Sequence, residues 1–356
     1  MANGVSTWKN IKLNNSLTVL FYIIKPALPW HSEEGKRPLT RPATAGENAV
    51  AGHPLPKGED SHSGGMRFES WALWRYPQRV GAGMNELEVK EGRLLEQLLQ
   101  VPSLVVAYSG GVDSAYLAYA AHQALGDRML AVTALSASYS ARDRQEAQAV
   151  VARFKLPHEF INTDELSNPA YRANNSDRCY FCKDDLFDKL DALVAQRGFA
   201  AVAYGVNVDD QGDWRPGQRA AREHKVLTPL LDAGLTKADI RELARRGDVP
   251  VWNRPASACL SSRIAYGIEV TPERLAIVEK GEEALRALGF RQFRVRYHEE
   301  LVRIEIASEE MPRALDSTMA CRFVEIFKEL GFKFVTLDLE GYRTGSMNSL
   351  LVNIQK

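Results

Sequence analysis

The chain has 356 residues, and its 45 basic side chains are balanced by 45 acidic ones, so it carries no formal net charge; 45% of its residues are apolar. This is the composition of an ordinary globular protein of about two domains, and it excludes a non-specific nucleic-acid binder, which needs a net basic surface. Four cysteines (Cys179, Cys182, Cys259 and Cys321) are too few for a disulfide scaffold. The longest apolar run near the N-terminus, Leu17–Ile24, ends at Lys25 and Pro26. It falls far short of the about 20 residues a membrane span needs, and no basic segment or small-residue cleavage site frames it. A cytoplasmic protein without membrane contact is expected.

Residues 1–83 hold 7 of the 16 prolines, 9 of the 25 glycines and 4 of the 6 tryptophans, and no helical or strand period persists there. Residues 31–65 have the composition of a disordered segment. The working protein is expected to begin near Met84, with residues 1–83 a dispensable or non-native extension. From there the pattern alternates: helix 84–100, strand 104–108, helix 112–125, strand 129–134, helix 141–154, strand 158–162, a long loop, a helix from about Cys179, and a strand at 200–204. Short strands alternating with helices predict a parallel sheet covered on both faces. After about 265 the texture changes: helix 271–288, strands 292–297 and 301–306 joined across His298–Glu300, helices 309–317 and 319–330, and strand 333–339. The expected fold is α/β with a smaller C-terminal α+β domain, divided as 84–267 and 268–356.

The first strand runs into Ser109-Gly-Gly-Val-Asp-Ser114 and then a helix. Such a turn aims backbone N–H groups and a helix N-terminus at one point, which suits an anion. Gly110 and Gly111 admit phosphate close to the backbone, Val112 opens the helix, Ser109 and Ser114 offer hydroxyls, and Asp113 can hold Mg²⁺. There is no Gly-Lys-Ser/Thr ending and no G-x-G-x-x-G. The six residues resemble the signature of the PP-loop ATP pyrophosphatases, which adenylate an oxygen with ATP and then let a nucleophile displace AMP.

Cys179 and Cys182 form a Cys-x-x-Cys pair where a loop enters a helix, and Cys259 lies in Pro255-Ala-Ser-Ala-Cys-Leu-Ser-Ser-Arg263. A helix N-terminus favours the thiolate. Three thiolates are one short of a structural zinc site and suit an iron–sulfur cluster with one open iron; a half zinc site, a redox dithiol and uninvolved core cysteines are the alternatives. Cys321, in an apolar stretch, is expected to be a buried small hydrophobe.

With Tyr204-Gly-Val-Asn-Val-Asp-Asp210, the segment from Pro229 to Arg241 and the Cys-Leu-Ser-Ser-Arg block, the sequence from about 85 onward resembles the LarE family of ATP-dependent sulfur transferases. The resemblance implies ATP, Mg²⁺ and a pyridinium-3,5-biscarboxylic acid mononucleotide substrate. Its carboxylates would become thiocarboxylates through acyl-adenylates on the way to a nickel-pincer cofactor. Family members supply sulfur either by sacrificing the cysteine at the position of Cys259 or from a [4Fe-4S] cluster on three cysteines. The presence of Cys179, Cys182 and Cys259 points to the cluster type, with the sulfide donor unnamed by the sequence. By the same resemblance, Ser262 and Arg263 would handle substrate, Arg294 and Arg296 would clamp its phosphate from one face of a strand, Glu282 and Glu305 occupy acidic site positions, and the chain would form a trimer-based homo-oligomer. A cluster-bearing tRNA thiolase is the closest alternative function, and charge neutrality counts against it.

Overall fold

A computed structural model of the chain describes residues 85–211, 216–255, 258–343 and 346–347. The expectation for residues 1–83 lies outside them, as do Asp213–Arg215, Ala256 and Ser257. The first helix, α1 (Glu86–Leu99), starts at a reciprocal cap: the Asn85 side chain accepts from the Glu88 N–H at 3.0 Å, and the Asn85 N–H donates to the Glu88 carboxylate at 3.2 Å. There follow β1 (Leu104–Ala107), α2 (Val112–Leu125), β2 (Met129–Leu135), α3 (Ala141–Phe154), β3 (His158–Asn162), the short α4 (Pro169–Arg172), α5 (Arg178–Arg197) and β4 (Ala201–Tyr204). Helices α6 (Pro216–Glu223), α7 (Pro229–Asp232) and α8 (Lys237–Arg246) precede α9 (Pro272–Ala287). The chain then runs through β5 (Phe293–His298), β6 (Leu301–Ile306), α10 (Met311–Ala314), α11 (Ser317–Glu329) and β7 (Phe334–Leu337).

Strands β1–β4 form one parallel sheet in the order β3-β2-β1-β4. Every residue of β1 is buried, and the period of two divides them. Leu104 and Val106 join the core with Leu94, Tyr116, Leu117 and Leu243, whereas Val105 and Ala107 pack with Phe187, Leu190 and Leu193. Helices thus cover both faces, as expected. After β1 the chain winds outward to β3, then returns to place β4 on the other side of β1. Strand order therefore reverses between β1 and β4, the place where sheets of this class bind ligands at the carboxyl ends of their strands.

The second sheet has the order β5-β6-β7, antiparallel between β5 and β6 and parallel between β6 and β7. The turn between β5 and β6 falls at the expected place, and Glu299 adopts φ +56° there. One face, with Phe293, Val295, Val302 and Ile304, packs on Leu285, Phe323 and Phe327 of α9 and α11. The expected helix 309–317 is instead a turn at 308–310 and the four residues of α10, because Asp316 caps a new helix by accepting from the Thr318 and Met319 N–H groups. Cys321 is exposed rather than buried: α11 turns Phe323 and Phe327 inward, and a residue two places from Phe323 lies on the opposite side.

Candidate functional site

The turn after β1 has the geometry its glycines predict. Gly110 has φ +77°, and a Cβ there would stand 2.9 Å from the Ala147 side chain of α3. The Ser114 hydroxyl braces the turn from inside, accepting from the Ser109 N–H at 3.1 Å and donating to the Gly111 carbonyl at 3.1 Å. No side chain caps α2 at Gly111, so the first N–H groups of the helix are left for a ligand. At the end of β4, Gly205 presses on this helix start: a Cβ on it would meet the Ser114 nitrogen at 2.8 Å and the Asp113 carbonyl carbon at 2.9 Å.

Asp113 points to the same place and is engaged by two residues that sequence reasoning passed over. Lys237, at the start of α8, donates to one carboxylate oxygen, and the Asn207 amide donates to the other at 3.3 Å. Burial pushes the Asp113 carboxyl above its ordinary value, with Lys237 opposing. Lys237 lies in the Pro229–Arg241 segment that carries the family resemblance, one residue after the capping Thr236, but nothing in that segment singled it out. A cleft of about 680 Å³ opens beside this loop at the end of β2, with Ser136, Tyr139, Arg144, Gln148 and Glu279 in its wall.

Cys179 lies exposed in the first turn of α5; Cys182 and Cys259 are half-buried, and all three are free thiols. Cys179 and Cys182 are three apart on one helix and so share a side. Burial pushes the Cys182 thiol up to about 12, and the Cys259 and Cys179 charges lie near enough to add to the rise. Among the described residues, no three His, Cys, Asp or Glu side chains converge as ligands of a single metal ion.

A buried polar network joins the two cysteine segments. Asn174, fully buried with φ +56°, donates to the Ala265 carbonyl at 2.8 Å and the Ile268 carbonyl at 2.9 Å. The hydroxyls of Tyr171 and Ser261 share a hydrogen bond at 2.8 Å, and the Ser261 hydroxyl lies 3.3 Å from Cys259 Sγ. Arg178, 4% exposed, donates to Asn174 Oδ1 and to the Ser261 carbonyl.

The Cys259 loop is also tied outward. Arg254 reaches the phosphate-type turn, donating to the Gly110 carbonyl at 3.3 Å while pairing with Asp143 and Glu146 of α3. Arg263 is spent on structure: Nε and Nη2 meet Glu282 of α9 at 2.9 and 3.1 Å, and Nη1 donates to the Ala258 and Cys259 carbonyls and to the Ser262 hydroxyl. The Ser262 hydroxyl itself donates to the Cys259 carbonyl at 2.7 Å.

The outer face of the second sheet brings the remaining expected residues together. In its register Arg294 opposes Glu305 and Arg296 opposes Arg303, with His298 next along β5 on the same face. Arg296 donates to the Ser262 carbonyl at 3.1 Å and to Glu305 at 2.9 Å, while Glu305, fully buried, also receives Arg303 at 3.0 Å and the Ser346 hydroxyl at 2.8 Å. Arg294 packs over the Tyr342 ring, 5.0 Å from its centroid. Burial, together with the Arg263 and Arg296 charges, holds the Arg294 guanidinium below its ordinary pKa. Among the described residues, three buried nitrogens on this face, Arg296 Nε, Arg303 Nε and His298 Nε2, have no hydrogen-bond partner, and Arg303 Nε lies 3.7 Å from the Asp338 carboxylate. Arginines outnumber carboxylates here, so the face suits an anion.

Comparison with known proteins places the chain among relatives that span most of its described length. A family model described as NAD synthase matches residues 94–189, which include the turn after β1. The chain is similar to an uncharacterized protein of Synechocystis, 40% identical over 265 residues, covering 74% of this chain and 99% of that protein. It is 33% identical over 273 residues to the pyridinium-3,5-bisthiocarboxylic acid mononucleotide synthase of Lactiplantibacillus plantarum, covering 76% of this chain and 98% of the relative. An uncharacterized protein of Methanocaldococcus jannaschii is 28% identical over 250 residues, covering 70% of this chain and 94% of that protein.

Proposed function

The chain belongs to the LarE family of PP-loop, ATP-dependent sulfur transferases, and we propose on that premise that one continuous site performs both halves of its reaction. The chemistry converts carboxylates of pyridinium-3,5-biscarboxylic acid mononucleotide into thiocarboxylates for a nickel-pincer cofactor. The observation that carries the proposal is the Cys259 loop, bonded at one end to the Gly110 turn through Arg254 and at the other to the arginine face through Arg296.

A carboxylate is a poor electrophile, so it must first be activated. Its oxygen attacks the α-phosphorus of ATP, the bond to the β-phosphate oxygen breaks, and pyrophosphate leaves. The uncapped N–H groups of Val112, Asp113 and Ser114, with Gly110 and Gly111 admitting close approach, would receive the pyrophosphate, and Ser109 would add its hydroxyl while the Ser114 hydroxyl braces the turn. Asp113 would hold the Mg²⁺ that accompanies ATP, releasing Lys237 to the phosphate charge. The cleft at the end of β2 has the size for the adenosine half. A sulfur nucleophile at the Cys259 loop then attacks the acyl carbon, the bond to AMP breaks, and the thiocarboxylate forms. Arg294 and Arg296 would clamp the phosphate of the substrate, helped by His298 and Arg303; Ser262 would face the substrate beside Cys259, while Arg263 with Glu282, and Glu305 with its arginines, would hold the loop and the clamp in place.

Three free thiols on two neighbouring segments form a donor set suited to a polynuclear cluster, whose several metal atoms do not require ligands converging on one point. Cys179, Cys182 and Cys259 would hold a [4Fe-4S] cluster, which when bound supplies an open iron for inorganic sulfide. The test is AMP and pyrophosphate release with the dicarboxylate mononucleotide, with tRNA and with nicotinate adenine dinucleotide, together with an anaerobic iron and sulfide count. Thiocarboxylate formation from the mononucleotide is expected, with iron present. AMP formation with tRNA alone overturns the substrate, and conversion of Cys259 to dehydroalanine after turnover overturns the cluster in favour of sacrificial sulfur.

A further inference from the structure

Three arginines are buried among the described residues: Arg178 at 4% exposure, Arg263 at 3% and Arg296 at 6%. Two of them face a carboxylate, Glu282 for Arg263 and Glu305 for Arg296, each at 2.9 Å. Arg178 faces none. Among the described residues its side-chain hydrogen bonds come only from Nη1, to the Asn174 side-chain oxygen and the Ser261 carbonyl, both neutral. A buried cation without a counter-charge is a costly arrangement, and folded proteins keep one where an anion completes it. The ionisable groups near Arg178 are Cys259, Cys179, Tyr171 and Tyr266, and of these the thiols are the ones that ligation makes anionic. Cys179 is its neighbour in sequence, and Ser261, which it grips, is two residues from Cys259.

We propose that Arg178 is the counter-cation of the sulfur centre, a positioning residue that balances the negative charge gathered on Cys179, Cys182 and Cys259 and fixes the Cys259 loop against α5. This rests on the cluster proposed above. A four-iron cluster on three thiolates carries net negative charge that deepens on reduction, and a guanidinium beside it favours the reduced form. Arg178 is suited to this because it does not lose its proton and its fork also holds the two segments in register.

The experiment uses the full chain, reconstituted anaerobically with ferrous iron and sulfide, as wild type, Arg178→Gln and Arg178→Lys. Iron and sulfide are counted, the midpoint potential is measured by spectroelectrochemical titration, and the unfolding midpoint of each iron-free protein is recorded. The expected result is a more negative potential in Arg178→Gln, faster loss of its iron to a chelator, and return toward the wild-type potential in Arg178→Lys. An equal potential in Arg178→Gln and wild type, both with filled clusters, overturns the proposal while leaving the cluster standing. So does equal loss of iron from both variants with a lowered iron-free unfolding midpoint, which marks a structural role alone. If the wild type binds no iron, the cluster itself falls, and the counter-cation with it.

Discussion

Arg263 and Glu282 offer a quantitative test of how the cysteine loop is held. The pair is bidentate, at 2.9 and 3.1 Å, with Arg263 3% and Glu282 7% exposed. Arg263→Met leaves the Glu282 carboxylate buried without its cation, and Glu282→Met leaves Arg263 without its anion. Breaking a buried pair from one side costs about 3–5 kcal/mol, because the desolvated partner stays behind. Removing both charges together, with apolar groups of similar volume, avoids that penalty. The double variant is therefore expected to lose less than the sum of the two single losses by about 2 kcal/mol or more. Some loss persists, since the bonds from Arg263 to the Ala258 and Cys259 carbonyls go in both Arg263 variants. Urea unfolding at pH 7, followed by circular dichroism for wild type, both single variants and the double, measures each term. Single losses below about 1 kcal/mol, or strict additivity, would refute the pair as an anchor for the loop.

His298 is held at about 4, below the ordinary 6.5, by burial and by Arg303 and Arg296, with Glu305 opposing. Between those values the unfolded chain takes the proton and the folded one does not, so the stability is present above pH 6.5 and is lost as pH falls toward 4. At 1.36 kcal/mol per pKa unit, this amounts to roughly 3 kcal/mol; unfolding at pH 7 and 4.5 should show that His298→Gln flattens the slope, and an unchanged slope refutes it. Gly205→Ala forces a methyl into the backbone of the first turn of α2, so a loss of about 1–3 kcal/mol and weaker ATP binding are expected by urea unfolding and calorimetry; full retention of both counts against the close approach. Cys179→Ala, Cys182→Ala and Cys259→Ala should each abolish iron binding and thiocarboxylate formation, whereas Cys321→Ala, on the exposed side of α11, should change neither. If Cys259→Ala alone abolishes product, sacrificial sulfur is the mechanism.

Local patterns made the scaffold legible. The β-branched run of β1 and the amphipathic helices around it carry their own periods, and the two glycines after β1 announce a turn against a ligand. The site is less legible because its polar side chains act across distance in the sequence. Arg263 reads as a substrate residue by its place beside Cys259, yet the bonds that occupy it come from Glu282 on another helix. Asn174 looks like a loop asparagine, and only the folded chain brings it to carbonyls about 90 residues later. Nothing around Lys237 or Arg254 in the sequence announces a partner, and only tertiary contact sends one to Asp113 and the other to Gly110. Burial misled in the opposite direction at Cys321, where an apolar neighbourhood in sequence is divided between two sides of a helix.

The cysteine loop is gripped by its main chain. Arg263 takes the Cys259 carbonyl at 2.8 Å, Arg178 the Ser261 carbonyl at 2.8 Å, and Arg296 the Ser262 carbonyl at 3.1 Å. Cations from the loop itself, from α5 and from β5 thus hold the carbonyls of Cys259, Ser261 and Ser262, and this part of the loop is tied down at three of its peptide groups. A 3,5-dicarboxylate carries its two reactive groups at separate, symmetry-related positions of one ring. On the proposed site, a sulfur end held in this way would meet the second carboxylate once the half-finished molecule had left the arginine clamp, turned over and bound again. Two rounds of chemistry on such a site would make the release step the point at which a singly converted product escapes.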